Sequence, residues 1–154
     1  MAQTTNAGRI LAVDYGRRKI GLALSDELGL TAQPLVTILR VNRRTDLRLL
    51  RQICKDHSVV RIVVGHPLHL RGEPGEMAAE TARFAAKLSK EVGIETELLD
   101  ERLTSWEAER IVAETQSSRR RQRKPLDDVA AAVLLRDYLQ RKSHGPSAAQ
   151  PQKD

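Results

Sequence analysis

The stretch Ile10–Ser25 constrains the fold more than any other. An apolar run, Ile10–Val13, leads into Asp14; a turn of Gly16 with three cations, Arg17, Arg18 and Lys19, follows; a second apolar run opens at Ile20. Short apolar runs joined by a glycine-bearing polar turn predict two paired strands. Asp14 then ends a buried strand, with its carboxylate held at the margin of a core. Such a carboxylate is costly to bury unpaired, so it faces solvent, a cation or a metal. Asp is also a common turn residue, and this stretch is equally consistent with Asp14 merely opening the turn.

The chain beyond it alternates strands and helices. Leu35–Leu39, after Pro34, reads as a third strand and completes a meander. Val41–Arg44 reads as a basic loop, with Thr45 or Asp46 capping a helix that carries Leu47, Leu50, Cys54 and His57 at helical spacing. Val59–Val64 is rich in β-branched residues and predicts a strand, which ends at Gly65-His66-Pro67. Glu76–Val92 has the spacing of a long helix with Phe84, Leu88 and Val92 on one side, stopped by Gly93. Ile94–Leu99 is a short strand running into Asp100-Glu101-Arg102. Thr104 and Glu107 match a capping box for a helix over Ser105–Thr115. Leu126–Arg141 predicts a last helix with Val129, Val133, Leu134 and Tyr138 inward. The expected fold is one mixed α/β domain over residues 9–142. Its central five-stranded sheet, a three-strand meander and then two strands, is flanked by helices. Residues 1–8 read as a flexible tail, and residues 143–154, rich in Pro, Ala, Gln and Ser, as a disordered one.

A length of 154 residues suits a single domain. With 26 Lys and Arg against 20 Asp and Glu, the formal charge is +6, which favours a polyanionic partner. Tyr15, Phe84, Trp106 and Tyr138 are the whole aromatic set, too few for a base-stacking platform, so phosphate contacts from Arg and Lys fit better. Arg17, Arg18, Lys19 and the run Arg119, Arg120, Arg121, Arg123 and Lys124 are the candidates. No apolar run reaches the length of a membrane span, and residues 1–8 lack the apolar centre of a secretory signal. The lone Cys54 can form no internal disulfide and reads as a core residue. These features predict a cytoplasmic protein with no membrane partner.

Acidic residues recur at three comparable places: Asp14, Asp100-Glu101, and Asp127-Asp128 at the opening of the last helix. Sites in α/β sheets collect at the carboxyl ends of strands, and the first two acids lie there if their strands run parallel. Converging carboxylates repel unless cations sit between them. Mg²⁺ takes one or two carboxylates and completes its shell with water and phosphate. Two such ions about 4 Å apart can activate water and stabilise the leaving oxygen in phosphodiester cleavage. His66 and His69 lack zinc-like companions, and no Walker-type loop is present.

Four ordered blocks carry a resemblance: Asp14-Tyr-Gly-Arg-Arg-Lys-Ile-Gly21-Leu-Ala-Leu-Ser-Asp26, Val63-Val-Gly65-His-Pro67, Asp100-Glu-Arg-Leu-Thr104-Ser, and Leu126-Asp127-Asp-Val-Ala-Ala-Ala132. From about Arg9 to Gln140 the chain resembles the YqgF/RuvX family, small bacterial proteins of the ribonuclease H-like fold. The resemblance implies a metal-dependent nuclease that matures the 5′ end of pre-16S ribosomal RNA and uses Mg²⁺ or Mn²⁺. The alternatives are a Holliday junction resolvase and a non-catalytic nucleic-acid-binding factor of ribosome assembly. Junction resolution requires paired sites and hence a homodimer; the other readings allow a monomer. Asp14, Asp100 and Asp127 match the family's catalytic, metal-holding aspartates, with Glu101 and Asp128 in reserve. Where the family often reads Pro-Leu-Asn-Met-Asp-Gly, this chain has Pro67-Leu-His69-Leu-Arg71-Gly72. Arg71, like Arg102 of the third block, adds a cation suited to phosphate. The Asp-x-Gly hairpin also resembles that of actin-like ATPases, which close two such domains around a nucleotide; 154 residues hold one.

Overall fold

The computed structural model describes residues 8–67, 75–101 and 127–149, with side chains for 129–142 within the last stretch. β1 (Arg9–Tyr15) and β2 (Lys19–Ser25) form the expected hairpin, in register from Leu11 opposite Leu24 to Tyr15 opposite Ile20. After α1 (Arg43–Asp56), β5 (Val59–His66) pairs parallel to β1; after α2 (Glu76–Val92), β6 (Glu95–Asp100) pairs parallel to β5. The carboxyl ends of β1, β5 and β6 therefore share one edge of the sheet.

The third strand departs from expectation. It is split into β3 (Ala32–Pro34) and β4 (Ile38–Leu39), both antiparallel to β2, so six strands fill the five positions across the sheet. Pro34 lies opposite Ala23 and Ile38 opposite Ile20, which leaves Leu35–Thr37 facing only Gly21 and Leu22. One surplus residue breaks the ladder as a bulge does. Leu35 still donates its N–H to the Leu22 carbonyl at 2.8 Å.

The helix after it begins earlier than its composition suggests. Asn42 is the N-cap, its side chain accepting from the Thr45 N–H at 2.8 Å. Thr45 and Asp46 both lie inside α1, and Arg43 and Arg44 are its first turn rather than a loop. Asp46 is unavailable as a cap because it turns inward, 1% exposed, to accept from the Arg40 Nε and the Val41 N–H. At the far end of α2, Gly93 adopts the left-handed conformation and its N–H closes on the Ser89 carbonyl, as the stop signal predicts.

Two helical layers cover the sheet. Leu11, Val13, Ile62 and Val64 point toward α1 and α2, where they pack with Leu50, Phe84 and Leu88. Ala12, Ala23 and Val63 point the other way, toward α3 (Asp127–Ala149) and its Ala131, Leu134, Leu135 and Tyr138. Small residues on both partners let α3 lie close to β1 and β2. Val129 falls outside that contact and is 37% exposed, contrary to its expected inward position. The helix also continues past Arg141 into the Pro- and Gln-containing stretch that reads as a tail, ending at Ala149. The helix expected over residues 105–115 lies outside the described residues.

Candidate active site

Side chains alternate along a strand, and Asp14 follows Ile10 and Ala12 onto the face that α3 covers. It is half-buried at the carboxyl end of β1. The β1–β5 register ends with Val13 opposite Val64, and one further step brings Gly65 alongside Asp14. Gly65 is buried and faces α3, as Val63 does.

The lack of a side chain at Gly65 is what shapes the site. A Cβ there would stand 2.5 Å from the Glu101 Oε2 and 3.3 Å from the Leu134 Cδ2. The Glu101 carboxylate therefore lies over Gly65, in space that any other residue would fill. Adjacent strands are about 4.8 Å apart, so this carboxylate and Asp14 stand over neighbouring strands, on one face and at one edge.

Asp100 is directed differently. Glu97, which accepts from the Tyr138 hydroxyl at 3.1 Å, and Leu99, packed with α3, define one side of β6. Alternation assigns Leu98 and Asp100 to the opposite side. Of the two neighbouring acids, the structure brings Glu101 to the face of Asp14.

The path of α3 places its first residue. Leu134 touches Gly65 at the carboxyl edge, Tyr138 meets Glu97 further down β6, and Leu139 comes within 3.9 Å of the Cβ position of Gly29 at the opposite end. The helix thus runs down the sheet from the acidic edge. Asp127, seven residues before Leu134, begins it about 10 Å further up, beyond the ends of the strands. The side chains of Asp127 and Asp128 lie outside the described residues. Among the described residues, no three His, Cys, Asp or Glu side chains form a metal-binding group.

The cations of the β1–β2 turn flank this edge. Arg17 is 57% exposed and donates from Nε to the Glu80 Oε1 at 3.0 Å. Arg18 is exposed, and Lys19 is half-buried at the start of β2. The proposed phosphate contacts Arg71, Arg102, Arg119, Arg120, Arg121, Arg123 and Lys124 lie outside the described residues.

Sequence reading missed a polar cluster behind the turn. The Tyr15 hydroxyl donates to the Glu80 Oε2 at 2.7 Å and accepts from the Arg40 Nη1 at 2.8 Å. Burial, then the bond to Glu80, pushes the Tyr15 phenol up, while the same hydroxyl and Arg17 hold Glu80 below the usual carboxylate range. These partners are 25 and 65 residues from Tyr15, beyond any local spacing signal. Gly65 was available as a signal: a glycine ending a β-branched strand marks a close approach.

Comparison with known proteins identifies the family and the fold. The RuvX family, described as Holliday junction resolvase, matches residues 8–141. The chain belongs to the RuvX family. It is 44% identical over 135 residues to a protein of Koribacter versatilis named "Putative pre-16S rRNA nuclease", covering 88% of each chain. A Geobacillus kaustophilus protein of the same name is 45% identical over 136 residues, 87% of this chain and 99% of that one. Thermus thermophilus RuvC, solved with a Holliday junction substrate, superposes with a TM-score of 0.51 at 14% identity, covering 82% of this RuvX chain and 91% of RuvC. That likeness is one of fold and bears out the ribonuclease H-like architecture. No helix among the described residues is long and apolar enough to cross a membrane.

Proposed function

We propose that this RuvX protein is a metal-dependent nuclease whose site is formed by Asp14, Glu101 and an aspartate at the start of α3, Asp127 with Asp128 in reserve. The observation that carries the reading is the Glu101 carboxylate lying over Gly65, one strand from Asp14 on the same face. Glu101 takes the role that sequence matching gives to Asp100.

The donors suit a hard divalent cation. Asp14 and Glu101 offer carboxylate oxygens, and Mg²⁺ or Mn²⁺ fits such donors, with water and phosphate completing the shell. A cation bound there supplies the charge that activates water and stabilises the leaving oxygen of a phosphodiester. Asp14 from β1 and Glu101 from just past β6 would hold it, with Gly65 of the intervening β5 beneath the Glu101 carboxylate. Arg17, with its guanidinium oriented by Glu80, and exposed Arg18 bind backbone phosphate beside it. Leu134 closes the floor of the site against the sheet.

The relatives' name makes precursor 16S ribosomal RNA the first substrate to test; its 5′ end as the cleavage site and the cytoplasm as the compartment are the expectations that go with the sequence resemblance. The family description makes the four-way DNA junction the second. Cleavage of both is measured with Mg²⁺, Mn²⁺ or EDTA. Asp14→Asn and Glu101→Gln are expected to abolish cutting while RNA binding survives, and Asp100→Asn is expected to retain cutting. Loss on Asp100→Asn with retention on Glu101→Gln would reverse the assignment. Undiminished cutting by Asp14→Asn would refute the site.

A further inference from the structure

The polar cluster behind the β1–β2 turn has no place in the metal site, yet it grips the strand residue next to Asp14. Arg40 is at its centre. Its Nε donates to the Asp46 Oδ2 at 3.0 Å, and its Nη1 donates to the Tyr15 hydroxyl at 2.8 Å and to the Gly16 carbonyl at 3.2 Å. The guanidinium also lies over the Tyr15 ring, 4.8 Å from its centroid. The Tyr15 ring packs against Phe84 of α2 with centroids 4.5 Å apart. Its hydroxyl, shared by Arg40 and Glu80, ties β1 to α2.

A buried ion pair contributes little net stability, because desolvation offsets the attraction, whereas its fixed geometry can specify one arrangement. Arg40 and Asp46 are 15% and 1% exposed at the side chain. Arg40 binds directly to the turn that follows Asp14, at the Gly16 carbonyl. Asp14 and Tyr15 are consecutive on β1, so their side chains leave on opposite faces and share one peptide plane. Holding Tyr15 and the Gly16 carbonyl from the α1/α2 side thereby limits where the Asp14 carboxylate can point on the α3 side.

We infer that Tyr15 and Arg40 are positioning residues for the Asp14 carboxylate, a brace that spans the sheet from the layer opposite the site. The inference rests on the nuclease reading. Tyr15→Phe removes the shared hydroxyl and keeps the ring. Arg40→Lys keeps a charge beside Asp46 but cannot reach Asp46, Tyr15 and Gly16 together. Arg51→Met, which breaks the 3.6 Å contact between Arg51 and Glu91 in the same helical layer, is the control.

Cleavage kinetics and the rise in melting temperature on adding Mn²⁺ are measured for each. Both brace variants are expected to lose about tenfold in kcat with KM within about twofold, as a displaced catalytic group does. Their Mn²⁺-dependent rise should shrink, because a cation that binds the folded state less tightly stabilises it less. The control should keep both. Brace variants with a lowered melting temperature but native kcat and a native Mn²⁺ response would overturn the inference, leaving a purely structural cluster. A wild-type protein that neither cuts nor responds to Mn²⁺ would refute the nuclease reading itself, and the brace with it.

Discussion

The two faces of the sheet are built on different principles. Toward α1 and α2 the strands present Leu11, Val13, Ile62 and Val64, large aliphatics that fill space against Leu50, Phe84 and Leu88. Toward α3 they present Val63 and Leu99 but also the small residues Ala12, Ala23 and, at the edge, Gly65. Both faces remove apolar area from water, but the second also gives up volume on its strands so that a helix and a carboxylate can come close. Asp14 belongs to the second face, where small neighbours leave room for charge.

The sharpest way to break this contrast is Gly65→Val. Its Cβ would stand 2.5 Å from the Glu101 Oε2, too close for the carboxylate to stay in place, and cutting is expected to fall on the order of a hundredfold or more in a cleavage assay. Leu50→Ala tests the other face. It should cost about 2–5 kcal/mol in denaturant unfolding while the folded protein keeps its kcat. Equal damage to activity from both would mean that the faces are not functionally distinct.

A smaller effect concerns pH. Burial and the neighbouring Glu97 push the Tyr138 phenol up to about 12 from its ordinary value of 10. The folded state thus favours the protonated phenol. Its contribution is complete below pH 10 and is lost as pH rises from there toward 12, where the unfolded chain has already released the proton. Tyr138→Phe should flatten the alkaline limb of the stability profile measured by denaturant titration. The smallest expected effect is at Cys54, whose thiol burial pushes up to about 11. At pH 8 a thiol reagent should label it only on unfolding, and Cys54→Ala should leave cutting unchanged.

Most of the architecture is legible in the sequence because its strands are strongly patterned. Ile10–Val13 and Val59–Val64 announce themselves, and Gly93 ends α2 where a left-handed cap is needed. The split of the third strand was hidden because one surplus residue leaves the apolar composition of Leu35–Leu39 unchanged. The cap of α1 was hidden because Asp46 resembles a capping residue but is bound to Arg40. At the site, the adjacent acids at 100 and 101 were indistinguishable until the direction of β6 was known, since a one-residue shift in alternation exchanges the faces. The register that brings Gly65 beside Asp14 depends on a parallel pairing 51 positions apart, which no local pattern encodes.

The interrupted edge beside β2 has a consequence of its own. Among the described residues no strand pairs with the outer side of β3 and β4, where Leu39 and Val36 are exposed, and a strand margin of that kind invites other chains to extend it. Pro34 has no N–H to offer a newcomer, and the slip between β3 and β4 prevents any straight strand from bonding to both segments at once. Smoothing that margin into one continuous strand would make the molecule prone to self-templated aggregation, so its irregularity is a safeguard of solubility.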